Sequence, residues 1–401
     1  MPSLHLRNLR NPRFHNLLFR RVVPLILLPF AALALLNLLV DPYGIYHLLP
    51  WASATKYKSP LGTPIAKAES LRRPGWDVIL LGNSPVDVAL APTIPAWDNL
   101  HVFNAGLPGA SMSQLLQVTR LALQNPDLKQ IILCIDMSDF ASAHTPPTDY
   151  SQSLLNPHLN HFKYYLSNLL GPSATKQSLQ SLLNLLHHQI ADHTPDGLAT
   201  RGTPRLSRAQ WQSYATSLLA DLSKLQLDPN SFTNLDDLLN LTAARHVRVT
   251  IVILPTHVLW LECLKAANQW PLFENWNRQL VQRVDSHTQK FPDHPVPIIT
   301  FQQFIRFTQE PLPPPGQPSQ MIWWRDPVHL TVDLGNLVTD RVTNHFSHKY
   351  ADAPDFSLHL TPANIDDYLK QLKKDRDAFI AQTPWITEFM RAATGDTSPR
   401  Q

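Results

Sequence analysis

The chain has 401 residues, 44% of them hydrophobic and 16% charged, which is enough apolar material for one large domain with additions. Its formal net charge of +3 is too small to indicate a nucleic-acid-binding protein. Cys134 and Cys263 are the only cysteines, which excludes a disulfide framework and a CxxC metal site, so we expect two buried thiols. The sequence has no phosphate-binding loop, dinucleotide fingerprint or metal-ligand spacing, so we expect neither a metal nor a cofactor.

The first forty residues predict a membrane anchor. Residues 1–21 carry five arginines and no acidic residue, and the nineteen residues that follow, 22–40, carry no charge. A helix of that length spans about 28 Å, close to the hydrocarbon core of a bilayer. The arginines predict a cytoplasmic N-terminus and an extracytoplasmic remainder after a single pass. A cleaved signal peptide is the alternative, although the apolar run is long for one and no small-x-small cleavage site follows it.

Five apolar runs of strand length alternate with helical patterns in the rest of the chain. They are DVILLGN (77–83), LHVFNAG (100–106), KQIILCIDM (129–137), HVRVTIVILPTH (246–257) and VPIITF (296–301). Near-continuous apolar strands separated by helices are typical of a parallel sheet that is covered on both faces. The pattern therefore predicts a doubly wound α/β domain over residues 76–350.

Three other segments flank or interrupt this domain. Residues 41–75 form a juxtamembrane stretch, and residues 351–401 form a charged tail with an amphipathic helical pattern. Between about 141 and 245 the chain is rich in Leu, Gln, Asn, Ser and His and has helical spacing. We interpret this third segment as a helical insertion or cap.

Small polar turns follow the first two predicted strands, where a doubly wound fold places its functional groups. Gly82, Asn83 and Ser84 follow the first strand, and a serine there can lie at a helix N-terminus, with its N–H directed at an anion. Gly106 and Gly109 follow the second strand, and glycine leaves the backbone N–H open to an oxyanion. Taken singly, each turn is explained as well by helix capping or chain reversal.

A third candidate lies near the end of the domain, where Asp326 and His329 are three residues apart. Together with Ser84 they give the chain order Ser…Asp…His. A serine hydroxyl needs an adjacent base to attack a carbonyl, and the base needs an acceptor that fixes its tautomer. Because the chain has 18 histidines, His329 alone is explained equally well as a surface turn residue.

Together these motifs resemble the SGNH (GDSL-like) hydrolase superfamily over about residues 75–350. LLGNSPVD is similar to the first block of that superfamily, with Ser84 as nucleophile, and FNAGLPGAS to the second, with Gly109 as the oxyanion glycine. DPVHLTVDLG is similar to the last block, in which Asp326 and His329 complete the triad. The resemblance implies a flavodoxin-like three-layer α/β/α fold and a serine hydrolase or acyltransferase whose oxyanion is held by the N–H groups of Ser84 and Gly109.

The third block departs from the superfamily pattern. Its usual asparagine is absent from the end of the third predicted strand, where Asp136 and Ser138 stand instead. An ionised carboxylate cannot donate a hydrogen bond to an oxyanion. We therefore expect either that Ser138 or a backbone N–H replaces the asparagine, or that the third donor is missing.

The N-terminal anchor and the DPYGIY after it are similar to a membrane-anchored, extracytoplasmic SGNH branch. That branch includes accessory proteins of alginate acetylation and teichoic-acid D-alanylation. The resemblance implies ester hydrolysis or acyl transfer on a cell-envelope polysaccharide, beside a membrane-bound O-acyltransferase, in the bacterial periplasm or at the cell surface. The alternative, motivated by the altered third block, is a catalytically inactive relative that binds the glycan or the acyltransferase.

Three aromatic or imidazole side chains are candidates for substrate binding. Trp323 and Trp324 directly precede the Asp–His pair and would stack on a sugar ring, or else pack in the core. His257 follows the fourth predicted strand and would line the pocket, or else serve as a turn residue.

Overall fold

The computed structural model describes residues 18–49, 55–142, 146–200, 205–317, 319–345 and 356–394. Most of the predicted basic N-terminus (1–17) and both ends of the predicted tail (351–355 and 395–401) lie outside the described residues. Thirteen α-helices lie within the described ranges: α1 (Val23–Val40), α2 (Pro64–Leu71), α3 (Ser84–Ala89), α4 (Met112–Ala122), α5 (His161–Leu170), α6 (Pro172–Leu186), α7 (Arg208–Leu222), α8 (Pro229–Ala244), α9 (Val258–Ala266), α10 (Trp270–Lys290), α11 (Val332–Val342), α12 (Ile365–Gln382) and α13 (Pro384–Thr394).

Six strands of the described chain form one sheet: β1 (Val78–Leu81), β2 (Val102–Asn104), β3 (Gln130–Cys134), β4 (Arg248–Ile253), β5 (Ile298–Thr300) and β6 (Leu358–Leu360). Their order is β2-β1-β3-β4-β5-β6, with β1 to β5 parallel and β6 antiparallel to β5. Each of the five predicted runs contains one of the parallel strands. The predicted α/β class with a mostly parallel sheet is therefore confirmed.

The parallel strands are apolar because both faces of the sheet are covered. Every residue of β1 is buried, as are all but the first residue of β3 and of β4. Successive side chains of a strand point to opposite faces, so such a run cannot have one face in water. The chain order changes direction between β1 and β3, and in folds of this kind the site lies at the carboxyl ends of the strands near that point.

The described chain divides into two compact units. One combines Met1–Leu61 with His158–Asp192 and so contains α1, α5 and α6; the other combines Gly62–Pro157 with His193–Gln401 and contains the whole sheet. The segment interpreted as one insertion is thus divided between the units. Its later helices belong to the sheet unit, where α7 packs against α9 and α13, and α8 packs against α4.

Within the first unit, α1 is the hydrophobic helix that the sequence predicts. The helical stretch Arg20–Val40 has a mean hydropathy of 2.5, and it is the one described helix long and apolar enough to cross a membrane. Its polar Asn37 is fully buried. The Asn37 amide donates to the carbonyl of Leu169 at 2.9 Å and to Oγ1 of Thr175 at 3.0 Å, and its oxygen accepts from Ser178 at 2.9 Å. The helix is therefore bound to α5 and α6 by polar as well as apolar contacts.

The tail contains a strand that the sequence pattern does not reveal. Beside α12 and α13, which match its helical spacing, it contributes β6 to the edge of the sheet. This strand has only three residues, and its burial runs from half-buried to exposed to buried. Three residues are too few for a period-2 pattern, so pairing with β5 decides their conformation.

Candidate active site

Ser84 lies where β1 passes into α3. The strand ends at Leu81, and α3 begins at Ser84 itself. Gly82 makes the turn possible, since a Cβ at that position would lie 2.5 Å from the carbonyl oxygen of Cys134 on the neighbouring strand. The N–H of Ser84 falls in the first helical turn, where the helix provides no acceptor. The local sequence thus places a half-buried serine at the carboxyl edge of the sheet.

The Asp–His pair lies on a tight loop that precedes α11. An antiparallel bridge joins Trp324 to Leu330, and the N–H of Arg325 donates to the carbonyl of His329 at 2.9 Å. Asp326, 1% exposed, folds back into this loop. Its Oδ1 accepts the N–H groups of Val328 and His329, both at 2.8 Å. These two backbone bonds hold the carboxylate in place independently of its contact with the imidazole.

The three predicted catalytic side chains form one hydrogen-bonded chain. His329 Nδ1 lies 2.7 Å from Asp326 Oδ2, and His329 Nε2 lies 2.8 Å from Ser84 Oγ. Because an ionised carboxylate only accepts, Nδ1 carries the proton and Nε2 presents its lone pair to the serine hydroxyl. This is the arrangement that a general base requires, between residues 245 positions apart in the sequence.

A close contact between two helices brings Ser84 and the Asp–His loop together. Helix α11, which follows the Asp–His loop, packs against α3, which begins at Ser84. A Cβ at Gly335 would lie only 2.0 Å from the carbonyl oxygen of Ala89, so the contact requires glycine at that position. Glycine in the middle of a helix normally costs stability, and here its small size allows the close packing of the helix that begins at Ser84 against the helix that follows His329.

Glu310 anchors the Asp–His loop, although no motif in the sequence singles it out. Its carboxylate accepts three consecutive backbone N–H groups, those of Ile322, of Trp323 at 2.9 Å and of Trp324 at 3.2 Å. Burial raises the pKa of Glu310, and these three donors oppose the rise. Glu310 therefore positions the loop that carries Asp326 and His329 through the backbone.

The predicted oxyanion loop runs directly beside the end of β1. The N–H of Ala105 donates to the carbonyl of Leu80 at 2.8 Å, and the N–H of Leu107 donates to that of Gly82 at 2.9 Å. Gly109 has φ +70°, a left-handed conformation that favours glycine. The structure thus places the second predicted turn against the first, with Gly109 exposed in a backbone conformation that other residues rarely adopt.

A buried ionic cluster behind Ser84 was also missed by the sequence analysis. Lys67, 1% exposed, binds the carboxylate of Asp87 and the carbonyl of Gly106. His193 Nε2 lies 3.2 Å from the same carboxylate. Burial acts to raise the pKa of Asp87, but Lys67 and His193 outweigh it and the pKa is lowered. The cluster joins α3 to the oxyanion loop.

In the third block, the polar side chains form hydrogen bonds with one another and with Asn83. Ser138 donates both its N–H and its hydroxyl to Asp136, so neither is directed at an oxyanion. The Asn83 amide donates to Asp139 at 2.8 Å and to Asp136 at 3.3 Å. Burial, and then the charge of Asp136, raises the pKa of Asp139 well above its usual range. The expectation that Ser138 replaces the missing asparagine is not supported.

Two of the three predicted substrate-binding side chains lie in the core. Trp324 is fully buried and its indole N–H donates to the carbonyl of Phe307 at 2.6 Å, so no face is open to a sugar. His257 is fully buried as well: its Nδ1 accepts the N–H of Leu259, and its Nε2 donates to the carbonyl of Glu310. Neither lines a site. Trp323 is half-buried and meets Phe307 edge-on at 5.0 Å.

Lowering the pH from 6.5 towards 4 is expected to destabilise the protein through His257. Burial lowers the pKa of His257 from 6.5 to about 4, although its bond to Glu310 opposes the shift. The unfolded chain then binds a proton that the folded chain excludes, so stability present above pH 6.5 falls by about 3 kcal/mol towards pH 4. Thermal unfolding across this range should show a shallower pH dependence for His257→Gln than for exposed His101→Gln. Parallel pH profiles of the two variants would contradict this assignment.

No group of three or more His, Cys, Asp or Glu side chains in the described parts of the chain is placed to hold a metal ion. Cys134 and Cys263 are free, buried thiols. Burial raises the pKa of both thiols, which disfavours the reactive thiolate. Neither thiol is therefore suited to act as a nucleophile.

Comparison with known proteins adds no closer assignment. No protein-family model matches the chain, and no curated protein matches its sequence. The similarity to the SGNH superfamily therefore stays a prediction that rests on its motifs.

Proposed function

We propose that this protein is a membrane-anchored serine esterase or O-acyltransferase that works through an acyl-Ser84 intermediate. The observation that carries the proposal is the chain of contacts from Ser84 Oγ to His329 Nε2 at 2.8 Å and from His329 Nδ1 to Asp326 Oδ2 at 2.7 Å. An unactivated serine hydroxyl is a poor nucleophile, and a base within hydrogen-bond reach corrects that. The burial of Asp326 keeps water from competing for the imidazole.

In the first half of the reaction the acyl group moves to the enzyme. Ser84 Oγ forms a bond to the ester carbonyl carbon while its proton passes to His329 Nε2. Asp326 stabilises the imidazolium that results. The N–H groups of Ser84 and Gly109 are the candidate donors to the oxyanion. His329 then gives the proton to the departing alcohol oxygen as the ester C–O bond breaks.

In the second half the same base activates the acceptor. His329 Nε2 takes a proton from water or from a sugar hydroxyl, whose oxygen attacks the acyl-Ser84 carbonyl. The proton returns to Ser84 Oγ as the acyl–serine bond breaks. Water as acceptor gives an esterase and a sugar hydroxyl gives an acyltransferase, so the two activities differ only in what reaches the imidazole.

The resemblance to the anchored SGNH branch supports a cell-envelope polysaccharide as the substrate and a membrane-bound O-acyltransferase as a partner. It also supports a cytoplasmic N-terminus and an extracytoplasmic domain, in the bacterial periplasm or at the cell surface. Trp323, half-buried beside the Asp–His loop, is the remaining candidate for contact with a sugar.

The contacts of α1 support an uncleaved anchor over a removable signal peptide. Asn37 exchanges three hydrogen bonds with α5 and α6, and cleavage after α1 would strip those partners of a buried amide. Large apolar side chains also stand exposed on α1 and on both partner helices: Leu25, Ile26, Leu27, Leu28, Phe30, Leu35, Phe162, Leu166, Leu179, Leu183 and Leu186. Such a surface is stable in contact with lipid rather than water.

The alternative is a non-catalytic member that binds glycan or an acyltransferase. Ser138 donates to Asp136 and Asn83 donates to Asp139, so neither side chain serves as the third oxyanion donor. The lack of this donor favours the non-catalytic alternative. Loss of one such donor slows an enzyme by about 10²–10³-fold without abolishing catalysis.

Hydrolysis of p-nitrophenyl acetate by the full-length chain in detergent distinguishes the two. We expect turnover that falls to the background rate in Ser84→Ala, because the replacement removes the nucleophile and little volume. Ser286→Ala is the matched control, since Ser286 is exposed on α10 and its hydroxyl donates to the carbonyl of Gln282. Equal rates for the native chain and Ser84→Ala, with both folded, would contradict catalysis by Ser84 and favour the binding role.

A further inference from the structure

A cavity of about 490 Å³ is lined by sequence neighbours of the proposed catalytic serine and histidine. Its wall includes Asn83 and Pro85, the residues on either side of Ser84 in the chain, and Val328, which precedes His329. Ligand pockets usually have volumes of about 300–1,000 Å³, so this one is large enough for a small organic group. An acyl group attached to Ser84 would therefore have this space beside it.

The wall of the cavity is mostly apolar. Ile135 and Leu254 come from the ends of β3 and β4, Leu218 and Leu222 from α7, and Trp260 from α9. Ile135, Leu222, Leu254 and Trp260 are buried parts of the core, whereas Leu218 is half-buried. Three charged side chains also line the cavity: Asp221 and Lys224 are exposed and mark the side open to solvent, whereas Asp136 is half-buried.

We infer that this cavity binds the acyl chain of the substrate and that the chain is longer than acetyl. The inference rests on the proposed function of Ser84. An acetyl group has one methyl to bury and would leave most of the cavity without partner atoms. A sugar is a poor occupant, because its hydroxyls would face apolar walls and lose hydrogen bonds to water.

A chain-length series measures this preference. Each methylene moved from water into an apolar site contributes about fourfold, so p-nitrophenyl hexanoate should exceed the acetate by on the order of 10²-fold in kcat/KM. The protein is the full-length chain in detergent, and Ser84→Ala gives the background rate for every ester.

Two neighbouring leucines of α7 supply matched variants. Leu218 lines the cavity, whereas Leu219 is equally half-buried and does not. Leu218→Trp should fill the cavity and lower the ratio of kcat/KM for the hexanoate to that for the acetate at least tenfold, because the four extra methylenes, worth about fourfold each, lose their place in the cavity. Leu219→Trp should change neither value. Equal losses for both esters in Leu218→Trp, or a native preference for acetate, would overturn the inference.

Binding of hexanamide, observed by saturation-transfer NMR, tests whether the cavity binds an acyl chain independently of the reaction at Ser84. We expect hexanamide to bind the native chain, Ser84→Ala and Leu219→Trp, and to bind Leu218→Trp more weakly; acetamide should show no such difference. Hexanamide binding without Ser84-dependent turnover would refute the proposed function and keep the cavity as an acyl-chain site. Turnover without this pattern of binding would refute the cavity and keep the function.

Discussion

Replacing Asp326 by asparagine is expected to lower kcat for p-nitrophenyl acetate by about 10⁴-fold while the protein stays folded. Oδ1 of the asparagine can still accept the N–H groups of Val328 and His329, so the loop keeps its shape. The new amide, however, faces His329 Nδ1 with a donor where the carboxylate had an acceptor. The imidazole then carries its proton on Nε2, directed at Ser84, and cannot act as a base.

The test measures kcat and the thermal unfolding midpoint of the native chain and of Asp326→Asn. Asp293→Asn makes the same chemical change at an exposed position and serves as the control. A loss of less than tenfold in Asp326→Asn, with an unchanged unfolding midpoint, would show that the tautomer of His329 does not matter and that another base operates.

Replacing His329 by alanine should have the largest effect of any change outside Ser84, about 10⁶-fold in kcat. The change removes the only group bonded to Ser84 Oγ in the described structure. It also leaves a gap beside the serine, and His329 is only 18% exposed, so the gap is partly enclosed. Free imidazole added at high concentration should therefore restore part of the activity.

Rescue distinguishes a chemical role from a structural one. His101→Ala is the control, because His101 is 76% exposed and lies just before β2, at the opposite end of the strands from Ser84. Imidazole should leave the rate of that variant unchanged. Activity retained in His329→Ala would contradict the assignment of this residue as the base.

The sheet and the contact of Ser84 with the Asp326–His329 pair were predictable because both rest on local sequence. Each parallel strand lies in a run whose residues are mostly apolar and buried, and an apolar run is visible without knowledge of its partners. Ser84 and the Asp326–His329 pair each carry a local turn signal, and the doubly wound topology alone brings strand ends to one edge. Their contact then follows from the close packing at Gly335.

What the sequence analysis missed depends on long-range packing. Glu310 lies in a proline-rich loop with no pattern around it, and its role comes from three N–H groups at least twelve residues away. Lysine is usually a surface residue, yet Lys67 is buried. Asp87 neutralises its charge, and the carbonyl of Gly106 accepts a second hydrogen bond from it. His257 and Trp324 have the residue types of a binding site, and only the fold reveals that both are enclosed.

The boundaries of the units were hidden for the same reason. Residues 158–192 share the composition of the helices that follow them, and nothing local ties them to the hydrophobic N-terminus. The bonds from Asn37 to Leu169 and Thr175 connect segments more than 130 positions apart. A single asparagine in an apolar helix was the one available sign, because such a side chain needs a partner.

Covalent labelling with a fluorophosphonate tests most directly whether Ser84 is a base-activated nucleophile. The reagent should form a phosphonyl ester with loss of fluoride, seen as one adduct by intact-protein mass spectrometry of the full-length chain and mapped to the peptide that contains Ser84. Ser84→Ala should abolish the adduct, and His329→Ala should slow its formation by several orders of magnitude. A folded native chain that stays unlabelled, or an adduct that persists in Ser84→Ala, would contradict the proposed enzyme.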